Sequence, residues 1–253
     1  GGGAARGFAH IGVIQVLEEN GIHPDMVVGT SAGSLVAALY AAGRDGKELE
    51  KVAETMDESA LTDYTMPFFS GPGLVRGDAL ARYVRSETGG RNIDQTKIPL
   101  GIVATDVSTG QPIVFRHGDL GTAVRASSAV PGVFFPVEIG RHTYVDGGLS
   151  EPVPVRAARG MGADVVIAVD ISESPEGQPV GDTVHMLLKT FTIMGHSINE
   201  LALKEADVVV RPNLMGVSGT DFTDRLKNIR AGRQAALAAL PEIKAKIAQP
   251  VPL

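Results

Sequence analysis

The chain has 253 residues, 43% of them hydrophobic, enough to bury one sizeable core, and no Pro/Gly/Ser-rich linker divides it, so a single domain spanning 1–253 is expected. Its net charge of −6 and the scatter of its 23 Lys and Arg speak against nucleic acid as a partner. The absence of cysteine removes disulfides, thiolate catalysis and Cys-ligated metals from consideration.

In chain order, the sequence opens on Gly1-Gly2-Gly3-Ala4-Ala5-Arg6-Gly7, a turn whose backbone N–H groups are free of bulky neighbours. It reads as a flexible end, a cloning remnant or an anion-binding loop. A Walker loop would need a closing Lys-Ser/Thr, and Arg6 stands where G-x-G-x-x-G needs glycine, so a nucleotide site is disfavoured. Ala9, Val13, Val16 and Leu17 then form one stripe of a helix from about 5 that ends before Gly21.

The apolar run Met26-Val27-Val28 leads into Gly29-Thr30-Ser31-Ala32-Gly33, and a helix over 31–42 follows. Strand, G-x-S-x-G and helix in that order make a nucleophile elbow, in which Gly29 and Gly33 are small because the turn is sharp. The arrangement presents Ser31 at the start of a helix, where developing negative charge is favoured. Amphipathic helices follow near 46–57 and 78–88. Between them the apolar loop 65–74 is either core packing or a substrate-facing flap.

Strands are expected at 100–104, 113–116, 134–139, 143–145, 165–169 and 208–211, and helices near 183–204 and 222–239. Strands separated by helices predict an α/β fold with a mainly parallel sheet covered on both faces. The longest strongly apolar stretch, 165–169, is far short of the roughly 20 residues of a spanning helix, and no export signal is evident, so a cytoplasmic protein is expected.

An activated serine needs a base. None of His10, His23, His117, His142, His185 and His196 has a compelling context, whereas Asp146 ends the strand Thr143-Tyr144-Val145 and is followed by Gly147-Gly148. An ordinary Asp-Gly turn explains Asp146 equally well, and Asp106 and Asp170 also end apolar strands as rival bases.

Four blocks in order, GGGAARG with Phe8–Val13, GTSAG, Arg125–Pro136 (RASSAVPGVFFP) and DGG at 146–148, resemble the patatin-like phospholipases. They cover most of 1–150, and 151–253 matches more loosely. The resemblance implies a three-layer α/β/α sandwich and a Ser-Asp dyad without histidine. Ser31 would be the nucleophile, Asp146 its base, and the N–H groups of Gly2, Gly3 and Ala4 the oxyanion hole. Arg6 matches a basic residue of the family's loop, as scaffold or as charge stabiliser. Ala4 stands where many members have a further glycine, and relatives have a strand leading into this loop, which implies either missing residues or one strand fewer.

The implied reaction is hydrolysis of fatty-acyl esters of phospholipids or lysophospholipids through an acyl-serine, with no cofactor and no metal. Membrane contact would be transient and peripheral, and the oligomeric state stays open. Apolar residues at 66–69 and 133–135 are candidates for an acyl channel, the latter equally a buried strand. The alternatives are a carboxylesterase or acyltransferase with a Ser-His-Asp triad drawing on His185 or His196, and a lipid- or protein-binding module without turnover.

Overall fold

The computed structural model describes residues 1–58, 75–219 and 221–252. The expected flap at 65–74 and the channel candidates 66–69 lie outside them.

A 3-10 turn, Ala4–Gly7, leads directly into helix α1 (Phe8–Glu19). Strand β1 (Val27–Thr30) and helix α2 (Ala32–Ala41) meet at Ser31 with no intervening loop. Helices α3 (Gly46–Thr55) and α4 (Asp78–Thr88) follow, and then strand β2 (Leu100–Asp106), buried along its whole length. Strand β3 (Pro112–Phe115), helix α5 (Leu120–Ser127) and strands β4 (Val137–Ile139) and β5 (His142–Asp146) complete the first sheet. The last third holds α6 (Val155–Gly160), β6 (Ile167–Val169), α7 (Thr183–Ala202), β7 (Val208–Val210) and α8 (Arg225–Ile247).

The parallel pairing expected from alternating strands and helices holds for β1–β2 and β6–β7, while β3, β4 and β5 run antiparallel to their neighbours. For the β2–β3 and β4–β5 pairs, connection length is the reason. Only residues 107–111 join β2 to β3, and only Gly140-Arg141 join β4 to β5, too few for the crossover that parallel strands require.

The β6–β7 pair shows why the fold has three layers. Side chains alternate across a strand, so Val208 and Val210 pack with Val13, Val16, Ala236 and Ile243 of α1 and α8, while Val209 and Ala168 pack on the opposite side with Val155 and Leu203. Both faces are therefore covered. On the first sheet, Leu100 and Ile102 meet α2, α4 and α5 on one face. Gly101 faces Met161 at the end of α6, where a Cβ would lie 2.6 Å from its sulfur.

Two glycines lock α1 to α8. A Cβ on Gly12 would lie 1.9 Å from the Ile229 carbonyl oxygen, and one on Gly232 would lie 1.9 Å from that of Ala9, so the helices cross in backbone contact. Pro241 does not end α8, which runs beyond the expected 239 to Ile247.

Candidate active site

The register of β2 assembles the site. Strand β3 pairs with 102–105 on one edge of β2, so β1, pairing with 100–103, and β5, pairing with 104–106, must share the other edge. They approach end to end: Thr30 is opposite Val103, and Asp146 is opposite Ala104. Ser31, one residue beyond Thr30, and Asp146 thus arrive side by side although 115 positions separate them in the chain (146 − 31).

Ser31 has φ 54° and ψ −122°, a positive φ that a non-glycine residue adopts at a cost of roughly 1–3 kcal/mol. Tight packing holds it there. A Cβ on Gly29 would sit 2.4 Å from the Gly33 carbonyl oxygen, and one on Gly33 would sit 2.7 Å from that of Gly1. A Cβ on Gly2 would come 3.3 Å from the Ser31 Cβ, so the glycine loop lies against the serine. The Ser31 N–H donates to the Ser127 hydroxyl at 2.8 Å, and that hydroxyl donates to the Val103 carbonyl at 2.5 Å.

Helices α3, α5 and α7 begin with an aspartate, Asp45, Asp119 or Asp182, whose side chain accepts a first-turn N–H. Ser31 occupies that position on α2 without capping it. The Ala32 N–H, at the first position of the helix, has no hydrogen-bond partner among the described residues, and the end of the helix dipole adds to its pull on an anion.

Asp146 is 1% exposed. Its Oδ1 accepts the Gly148 N–H at 2.7 Å, and its own N–H donates to the Ala129 carbonyl at 3.0 Å. Burial pushes the carboxyl up to about 7, although hydrogen bonding from Gly148 and from the Ser31 side chain holds it lower than burial alone would. Among the described residues Oδ2 has no well-aligned partner, yet the Ser31 hydroxyl is near enough to hold the acid down. Such loose geometry is common before substrate binds.

The expected oxyanion donors divide. The Gly2 N–H donates to the Pro152 carbonyl at 3.0 Å. The N–H groups of Gly3 and Ala4 have no hydrogen-bond partner among the described residues, and Ala4 holds a positive φ of 49°. Arg6 is 7% exposed and donates to four backbone carbonyls: Ile171 at 2.6 Å, Val217 at 2.7 Å, Leu214 at 2.9 Å and Ser172 at 3.1 Å. It ties the glycine loop to two distant segments.

The rival acids are engaged elsewhere. Asp106 accepts from Ser108 and pairs with His142 at 3.0 Å, while Asp170 accepts from Ser172 and pairs with Arg211 at 3.3 Å. His10 is buried and donates to the Gly1 carbonyl at 2.8 Å, with burial driving its imidazole down to about 3. His185 pairs with Asp182 and His196 with Glu200, each on or beside its own helix α7.

An apolar cleft of about 470 Å³, including its open mouth, begins beside this site at Ala4 and Ala32 and runs between α1, α2 and α3 to Val52 and Met56, with Phe222 on its rim. Val133–Phe135, a channel candidate from the sequence, instead makes a bridge to Val75, with Phe134 packed against the core. Among the described residues, no group of three or more His, Asp or Glu is placed to hold a metal ion.

Signals for the site differ in depth. The elbow and Asp146 are written locally. Ser127, inside the RASSA block, acquires its role only through the packing of α5 on β2, and Ala32 offers a donor simply as the residue following the serine at the helix start.

These features define an α/β/α protein with a serine elbow beside a buried acid. The chain belongs to the patatin-like phospholipase family, whose model matches residues 1–159. It is 38% identical over 177 residues to an uncharacterized NTE family protein of Mycobacterium tuberculosis (strain ATCC 25618 / H37Rv), a match covering 70% of this chain and 49% of that one. It is 35% identical over 184 residues to patatin-like phospholipase domain-containing protein 6 of Mus musculus, covering 70% of this chain and 13% of that one. The chain therefore spans half or less of these relatives. Among solved structures, VipD from Legionella pneumophila shares the fold, with a TM-score of 0.64 at 16% identity over 95% of this chain and 65% of the other.

Proposed function

We propose that the chain is a serine acyl hydrolase that cleaves fatty-acyl esters of phospholipids or lysophospholipids with Ser31 as nucleophile and Asp146 as base. The observation that carries this reading is the end-to-end meeting of β1 and β5 on one edge of β2, which sets the strained serine beside a buried carboxylate.

An aspartate with an ordinary pKa near 3.9 is a feeble base. Burial brings Asp146 to about 7, where it remains substantially ionised at neutral pH yet holds a proton firmly enough to take one from Ser31. As the Ser31 oxygen attacks the ester carbonyl, its proton passes to Asp146 and the carbonyl becomes an oxyanion. The N–H groups of Gly3 and Ala4, with that of Ala32, are the donors left to receive it. Asp146 then returns the proton to the departing alcohol, leaving an acyl-serine. Water, deprotonated by Asp146, adds to that ester; collapse regenerates Ser31 and releases the fatty acid. The apolar cleft opening at Ala4 and Ala32 would take the acyl chain, because its lining from Phe8 and Leu35 to Val52 and Met56 is apolar.

The experiment is hydrolysis of lysophospholipid and of a short-chain p-nitrophenyl ester, together with fluorophosphonate labelling. Ser31→Ala should abolish labelling and turnover, and Asp146→Asn should lower kcat by about 10³-fold or more, the scale expected when a paired base is lost. Single Asn variants at His23, His117, His142, His185 and His196 should keep most activity. Loss at His185 or His196 equal to that of Ser31→Ala would replace the dyad with a triad, and a wild-type chain inert to the probe would indicate a binding module.

A further inference from the structure

Helix α7 is unusual in what it leaves uncovered. Of the thirteen large apolar side chains exposed among the described residues, six lie on it: Val184, Met186, Leu187, Ile193, Met194 and Leu201. Leu187, Met194 and Leu201 are spaced by seven, as are Met186 and Ile193, so five of them form one broad stripe along the helix. His185, Lys189 and His196, at i, i+4 and i+11, run along the flank beside Met186 and Ile193. No Asp or Glu occurs from Thr183 to Asn199, in a chain with 29 acidic residues and a net charge of −6.

The opposite side of α7 is anchored over the catalytic machinery. A Cβ on Gly148, whose N–H holds the Asp146 carboxylate, would lie 2.7 Å from the Phe191 ring, and one on Gly195 would lie 3.6 Å from Pro152, whose carbonyl holds Gly2. A surface meeting the outer stripe is thereby brought within one helix diameter of the site, about 10 Å.

From this placement we infer that α7 is the segment by which the protein docks on the surface of a lipid bilayer, lying flat with the 186/193 and 187/194/201 rows among the upper acyl chains and Lys189 at the headgroup level. The helix has the pattern of an interfacial element, an apolar face edged by Lys189. The place of the helix over the site selects a lipid surface as the occupant; between Asp182 and Glu200, which pair with His185 and His196, the helix carries no acid and one cation, Lys189, whose Nζ also donates to the Gln178 carbonyl at 3.3 Å. The inference rests on the lipid-hydrolase reading, because the docked surface would also present the substrate.

The test uses the whole chain and large vesicles of phosphatidylcholine with and without phosphatidylglycerol. The variant Ile193→Gln/Met194→Gln replaces two exposed side chains with helix-compatible polar ones, and Lys189→Glu probes the edge. In co-sedimentation the double variant should bind the mixed vesicles about tenfold more weakly. Its hydrolysis of vesicle lipid should fall in parallel, while turnover of the short-chain ester stays at the wild-type level. Lys189→Glu should weaken binding to the phosphatidylglycerol vesicles selectively. Unchanged vesicle binding in the double variant overturns the inference, as does a wild-type protein that is dimeric and falls to monomer in that variant, since the stripe would then be a contact between copies. Failure of the short-chain assay in wild type would count against the hydrolase reading alone, because sedimentation reports docking without turnover.

Discussion

The Ser31 N–H and the Ser127 hydroxyl are joined at 2.8 Å across 96 positions of sequence, and the same hydroxyl continues to the Val103 carbonyl on the strand beneath. Ser127 is fully buried, so it acts on the backbone of Ser31, the proposed nucleophile, rather than on substrate. Ser127→Ala should lower stability by about 1–3 kcal/mol, because a buried donor and acceptor lose their partner. It should also lower kcat more than it raises KM. Thermal unfolding and steady-state kinetics read the two effects separately; a rise in KM alone would place Ser127 in binding instead.

The pH dependence follows from Asp146. With the folded-state carboxyl raised to about 7 from 3.8, kcat/KM should climb as the acid ionises, with an apparent pKa near 7. Stability should run the other way. Between those two values the folded state holds a proton the unfolded chain has lost, so unfolding free energy falls by up to about 1.4 kcal/mol per pH unit as pH rises through the window, and levels off above it. Asp146→Asn should flatten that slope and unfold at a higher temperature than wild type at pH 8. Equal pH slopes for the two proteins would show that Asp146 titrates as an ordinary surface acid.

Arg6 separates two roles by one substitution. Four backbone carbonyls receive its guanidinium, so Arg6→Lys, which keeps the charge but cannot span them, should cost about 3 kcal/mol or more by thermal melt. Stability at the wild-type level combined with lost kcat would instead assign Arg6 to charge stabilisation.

Gly33→Ala tests the elbow. Its new Cβ would press within 2.7 Å of the Gly1 carbonyl oxygen, and relief requires the glycine loop to retreat from Ser31. Fluorophosphonate labelling should slow by about tenfold or more if the loop's donors move with it, given that one lost oxyanion donor costs 10²–10³ in rate. Labelling at the wild-type rate would show that the oxyanion donors lie elsewhere.

Much of this site is legible along the chain because its parts are local. Gly29 and Gly33 flank Ser31 within five residues, and Asp146 sits at the end of a readable strand. Strand direction is legible in part, because the short stretch between residues 139 and 143 is too brief for a parallel crossover. Helices α5 and α6 are short, and α6 offers too few residues for a period to declare itself. What no local pattern encodes is the destination of a backbone donor: Gly2 and Gly3 look alike in sequence, and only the position of Pro152 distinguishes them. The four-carbonyl anchorage of Arg6 is likewise invisible until residues 171–172 and 214–217 are brought to it.

The notched crossing of α1 and α8 reaches further than helix packing. Helix α1 continues straight from the glycine loop, and that loop is also fastened by Arg6 to Leu214 and Val217 and by the Ala5 N–H to Gly219. The portion of sequence with the weakest family signature is therefore the buckle that keeps the signature portion in working shape. A fragment cut after residue 159 would retain every motif residue and lose the tension that aims them.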